Sequence, residues 1–344
     1  MKSLWNSLPR AFALALIGLA VGLSGCGGGG GSTDSGDSAT PVAISETNAT
    51  DVASTAMLAG NASSTTSLSD GFVTGVEGTQ AMPAPTIRLI ELAIAQAKRL
   101  NDLSATPGAV TGVQASETVL CDVSGTVTAF YNVQTLNSVS PGDTVGLTFT
   151  NCRMDADFLI KGGMAITINS YSGNFLPNGS MSTSLALSNF YMNFAGATFN
   201  ANGTMTIDTT ASSSGSHSVV RSDSYSYGVS YNGTNASIAF SDYELDMTTD
   251  TASATVTWTE RTHFSADFPS FHGSGDITTL TPMVESSAGI TAGKLQVAGD
   301  NSTLYMTFQP GNQVHLELDS DNDGDIDYEN TKNVYELNPL SELF

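Results

Sequence analysis

Basic residues are scarce in this chain: 11 Lys and Arg stand against 33 Asp and Glu among 344 residues. That balance argues against nucleic acid and anionic head groups as partners, because both repel a strongly negative surface. It is compatible with cation binding. Charge of either sign is thin, at 13% of residues, so Ser, Thr, Gly and Asn must cover much of the surface. With Val, Ile and aromatic residues scattered among them, this composition fits an all-β exported protein rather than a disordered chain. Histidine is also sparse, and His217, His263, His272 and His315 fit no zinc spacing. There is no nucleophile elbow, P-loop or dinucleotide fingerprint. No catalytic motif emerges, and acidic residues are too numerous to single out a glycosidase pair.

Long apolar runs are absent except at the N-terminus. Residues 11–23 carry no charge and follow Lys2 and Arg10. This core is shorter than the roughly 20 residues a membrane-spanning helix needs. A basic start, an apolar middle and small residues at the end form the plan of an export signal. The closing Leu23-Ser24-Gly25-Cys26 resembles the lipobox of bacterial lipoproteins. The resemblance implies removal of residues 1–25 and lipid modification of Cys26, making it the new N-terminus. Gly27, in place of Asp, implies passage to the outer membrane. The membrane partner would then be reached through the lipid anchor, at about 0.8 kcal/mol per buried methylene. Without Lys2 and Arg10, 9 basic and 33 acidic residues remain, a net charge of −24.

Cysteine is nearly absent as well. Beside Cys26 only Cys121 and Cys152 occur. An exported compartment favours their oxidation, and two thiols allow one pairing. Such a disulfide would contribute about 3–4 kcal/mol on the chain-entropy account. The alternative is two buried free thiols.

The chain divides by composition. Residues 26–43 form a Gly/Ser-rich tether. Residues 44–110 are expected to be helical, with one helix near 45–59 and a stronger one over 87–103, where Ile87, Ile90, Ile94 and Ala97 share a face. Residues 111–344 change to period two, as in Val145-Leu147-Phe149 and Tyr243-Leu245-Met247. Asn178-Gly179, Asn202-Gly203 and Asn232-Gly233 are candidate hairpin turns. The expected fold is mainly β: a large antiparallel meander sheet or open barrel of roughly 10–14 strands, with two N-terminal helices packed on it. Around 185–194 the apolar residues change from odd to even positions, which requires a bulge or cover on both faces.

One motif carries chemistry. From Asp319, acids stand at positions 1, 3 and 5 (Asp319, Asp321, Asp323), and Gly324 at position 6 permits a sharp turn. Asp325 would offer its carbonyl, Ile326 would point into the core, and Asp327 would ligate directly or through water. The loop over 319–330 resembles an EF-hand, and more closely its dockerin and thrombospondin type-3 relatives. Asn330 occupies position 12 where an EF-hand has a bidentate Glu, which implies weak, structural calcium binding. Glu317 to Glu329 places an acid at every second position, a density of like charge that a cation relieves.

Together the lipobox, tether, helices, cysteine pair and acidic loop resemble outer-membrane lipoproteins of Gram-negative bacteria. The resemblance implies a lipid-anchored envelope protein with a structural, adhesive or ligand-binding role. A lipid or lipoprotein carrier or assembly factor is suggested by a curved sheet with helices. A polysaccharide-acting enzyme or a carbohydrate-binding module is suggested weakly by Tyr225, Tyr227, Tyr231 and Trp258.

Overall fold

The computed structural model describes residues 40–60, 111–135, 140–153, 158–174, 178–194, 197–231, 233–286 and 289–337. The helix α1 (Ala49–Gly60) precedes fourteen strands. The first seven are β1 (Thr111–Leu120), β2 (Ser124–Thr135), β3 (Thr144–Arg153), β4 (Phe158–Asn174), β5 (Asn178–Phe194), β6 (Ala197–Ser212) and β7 (Gly215–Tyr231). Then follow β8 (Thr234–Asp250), β9 (Thr255–Phe268), β10 (Phe271–Ser286), β11 (Gly289–Ala298), β12 (Thr303–Gln309), β13 (Gln313–Asp319) and β14 (Tyr328–Asn333). Sheet order equals chain order throughout. The expected antiparallel meander is therefore present, as an open sheet edged by β1 and β14 and not as a closed barrel.

One helix, not two, stands among the described residues. The stretch expected at 45–59 folds as α1 but starts later, because the Asn48 side chain accepts the Ser45 amide (2.8 Å) and so favours a turn before Ala49. Every side chain from Val52 to Met57 is buried, and α1 lies against β9 to β13. The helix expected over 87–103 lies outside the described residues, as do the leader, Cys26 and the tether up to residue 39.

The long strands stay apolar on one face only because the sheet carries a seam of bulges. Register shifts cross it between Ser124 and Thr126, Phe149 and Cys152, Lys161 and Gly163, Leu187 and Phe190, Gly203 and Thr206, and Ser241 and Glu244. Asn151, Asn189 and Asp242 sit on this seam at φ 48°, 46° and 52°, a region that Asn and Asp tolerate. In β5 the buried set runs Leu185, Leu187, then Phe190, Met192. The parity change at 185–194 is thus a bulge at Asn189. In β8 it runs Ile238, Phe240, then Tyr243, Leu245. One extra residue in each strand returns the apolar side chains to the same face.

The Asn-Gly pairs divide. Gly233, at φ +81°, lies in the two-residue connection between the paired Tyr231 and Thr234. Asn178-Gly179 instead opens β5, and Asn202-Gly203 lies inside β6. Gly203 is needed there because a Cβ would fall 2.5 Å from Tyr225 Cα, where β7 approaches at the seam.

The buried face forms a main apolar cluster with α1, drawing on β3 to β13, and a small second one at Ile168 and Met181. The other face carries hydroxyls bonded across strands, among them Thr118–Thr128 (2.9 Å), Thr144–Thr167 (3.0 Å) and Ser172–Ser180 (2.7 Å). This is the reverse of a membrane-spanning barrel, which is apolar outside and polar inside. Cys121 and Cys152 are joined, Cα atoms 5.5 Å apart, and tie the turn between β1 and β2 to the end of β3.

Candidate metal centre

The acidic loop connects β13 to β14. Asp319 ends β13 with only 5% of its surface exposed, and Gly324 turns the chain at φ +97°. Carboxylate oxygens of Asp319, Asp321 and Asp327 come within 4.8 Å of one another. Each is oriented by the loop's own amides. Asp319 Oδ2 accepts from Gly324 N (3.0 Å), Asp321 Oδ1 from Asp323 N (3.2 Å) and Asp327 Oδ2 from Ser320 N (2.8 Å). The Ser320 hydroxyl also donates to Asp327, and these bonds hold its carboxyl below the usual carboxylate range.

The other expected ligands lie differently. Asp323 Oδ1 accepts from Asp325 N (2.9 Å), bracing the turn. Asn330 lies on β14 opposite Leu316, with its amide donating to the Tyr328 hydroxyl at 2.7 Å. Ile326, expected in the core, is 40% exposed, because the turn at Gly324 carries it outward before β14 begins.

The donor set fits a hard cation. All three groups are carboxylates, as calcium prefers. Asp319 Oδ1 is buried and accepts no hydrogen bond. A buried carboxylate oxygen without a partner is costly, and a cation among these three acids removes that cost.

The loop is also tied to the N-terminal segment through the turn between β11 and β12. Asn301 donates to the Asp321 carbonyl (3.0 Å) and Thr303 to the Asn322 side chain (2.7 Å). On the same turn, Asp300 N donates to the Val42 carbonyl (2.6 Å) and Ile44 N to Ser302 Oγ (2.8 Å). Val42 also bonds to Ser274 at the start of β10 (2.9 Å). Gly299 permits this close approach, since a Cβ there would meet the Val42 carbonyl oxygen.

Two further groups have no motif in the sequence to announce them. His315, Glu317 and Glu329 share the outward face of β13 and β14, with ligand atoms within 4.8 Å. Glu317 is already paired with Lys294 (3.2 Å). Glu260 lies on the buried face of β9 between Trp258 and Thr262, 3% exposed. Its parity with Val256, Trp258 and Phe264 is its one mark in the sequence. Neither carboxylate oxygen of Glu260 has a hydrogen-bond partner, and the hydroxyls of Tyr227 and Tyr243 lack one too. Burial pushes the Glu260 carboxyl up to about 8.

The aromatic residues considered for a glycan surface lie inside. Tyr225, Tyr227 and Trp258 are all nearly inaccessible, while the Tyr231 side chain falls outside the described set. Phe264, Phe268 and Phe271 are likewise buried, and the neighbouring His263 and His272 point outward to Asp276 and Asp267. No protein-family model matches the chain, and no curated protein or solved structure matches it either.

Proposed function

We propose that this is a lipid-anchored cell-envelope protein whose β body is clasped to its tether by a calcium-bound loop. The observation that carries the reading is the buried, unpartnered Oδ1 of Asp319 beside Asp321 and Asp327. Calcium would neutralise the three carboxylates and fix the loop. The loop in turn braces residues 300–303, which hold Val42 and Ile44. Residues 26–39 lead directly into that segment, so the cation would stiffen the point where the body meets its anchor. The lipobox and the hydroxyl-covered outer face support a body held outside the bilayer by lipid at Cys26. Its role is structural: it presents a rigid β surface at the envelope, where calcium is plentiful.

Two results are expected. Calorimetric titration with calcium should reveal one site, with Kd in the range of about 10⁻⁴–10⁻³ M typical of extracellular modules. Asp321→Ala should abolish it. A chelator should lower the melting temperature of the native protein and leave that variant unchanged. Separately, Cys26→Ser should move the protein from the membrane fraction to the soluble fraction. Heatless titration would refute the clasp, and membrane retention of the Cys26 variant would refute the anchor.

A further inference from the structure

The seam of bulges ends at a break in the sheet. Between β9 and β10 the pairing runs from Phe268↔Phe271 to Phe264↔Gly275 and resumes only at Trp258↔Met283. Five residues of β9 thus face seven of β10 without ladder pairing. Thr279 spans part of the gap, its hydroxyl accepting the Glu260 amide at 2.8 Å. Beyond it Leu280 turns outward and is 48% exposed. On the outer side His263 and Asp276 meet across the gap at 2.9 Å.

Directly inside this break stands the Glu260 carboxylate. Two hydroxyls of the buried face are engaged elsewhere. The Thr262 hydroxyl is bonded to the Ser241 carbonyl (3.1 Å) and the Ser222 hydroxyl to the Thr204 carbonyl (2.6 Å). The basic Arg261 is on the opposite face of β9 and exposed. An aromatic group begins beside the acid. Leu245 pairs with Glu260, which puts Tyr243 diagonally across from it. Tyr243 meets Tyr225 edge to face (5.6 Å) and Phe240 (6.1 Å), while Tyr225 and Phe240 stack at 4.8 Å.

The geometry points to an interior site for a small organic ammonium ion, entered between β9 and β10 and held by Glu260 beside the ring of Tyr243, which Tyr225 and Phe240 back. A carboxylate supplies charge and hydrogen-bond acceptors, and aromatic faces attract a cationic nitrogen and pack its alkyl body. A metal ion fits less well. It needs several charged or neutral oxygens, and among the described residues Glu260 belongs to no group of converging metal-ligating side chains. The site is independent of the calcium loop.

The test is titration of the full-length protein with propylammonium chloride at fixed calcium and pH 9, where the free Glu260 carboxyl is ionised, with sodium chloride and propanol as controls. Trp258, buried two residues from Glu260 on the same face, reports by fluorescence. Glu260→Gln keeps shape and removes charge, and circular dichroism checks its fold. Expected is a saturable fluorescence change and a rise in melting temperature with propylammonium alone, with affinity falling at least about tenfold in Glu260→Gln. Lack of saturation, an equal response to propanol, or undiminished affinity in Glu260→Gln would overturn the site and leave a protonated or water-satisfied acid.

Discussion

Replacing Glu260 with glutamine is expected to stabilise the unliganded protein by about 3 kcal/mol at pH 7 and by almost nothing at pH 4. The sign follows from burial. Below the ordinary value of 4.5, Glu260 is protonated in both the folded and unfolded chain, so its ionisation contributes nothing. Above it the unfolded chain releases the proton, whereas the folded chain keeps it until about pH 8. The folded state therefore binds more protons across this window, and stability falls as pH rises from 4.5 to 8. Each unit in the window costs about 1.4 kcal/mol. Glutamine cannot ionise and escapes the penalty, although its buried amide still lacks partners. Urea unfolding of both proteins between pH 4 and 9 measures the difference. Parallel curves would mean that Glu260 is solvated or paired in solution. That a protein retains so costly a residue is what a ligand site would explain.

Loss of the disulfide is expected to be comparably severe, at about 3–4 kcal/mol for a loop of this length. The 31-residue separation spans β2 and β3. Both cysteines are buried, and the Cys121 and Val123 amides donate to Gly125 O (3.1 Å) and Arg153 O (3.0 Å). The same corner holds a close approach: a Cβ on Gly125 would lie 2.0 Å from the Asn151 carbonyl oxygen. The bond thus fastens the sheet edge on which β1 has no second neighbour. In Cys121→Ser/Cys152→Ser the urea midpoint should drop and proteolysis should begin within 111–153. Calcium affinity should not change, because β13 and β14 lie at the opposite edge. Equal midpoints with and without reductant would show that the crosslink is dispensable.

Local rules make most of the fold legible in the sequence. Period-two alternation discloses the meander, and the parity change between Leu187 and Phe190 discloses one bulge of the seam. The rest of the seam is obscure there because it depends on pairing between strands. Gly203 looks like a turn residue locally, yet it serves a close approach to Tyr225, twenty-two residues away in sequence. The loop is legible through the spacing of its acids. Which acids converge is not, since Asp323 and Asn330 are drawn elsewhere by Asp325 N and by strand pairing with β13. Glu260 is hidden among dozens of acids, because only the pairing of β9 with its neighbours defines which face of that strand is inward.

Amide hydrogen exchange at Ile44 and Asp300, with and without calcium, tests the central claim most directly. These two amides join the N-terminal segment to the turn that the loop braces. Calcium removal should speed their exchange at least about tenfold, while Leu304 and Leu316 in β12 and β13 stay protected. Unchanged exchange at Ile44 and Asp300 under chelation would contradict the clasp, even if calcium were found to bind.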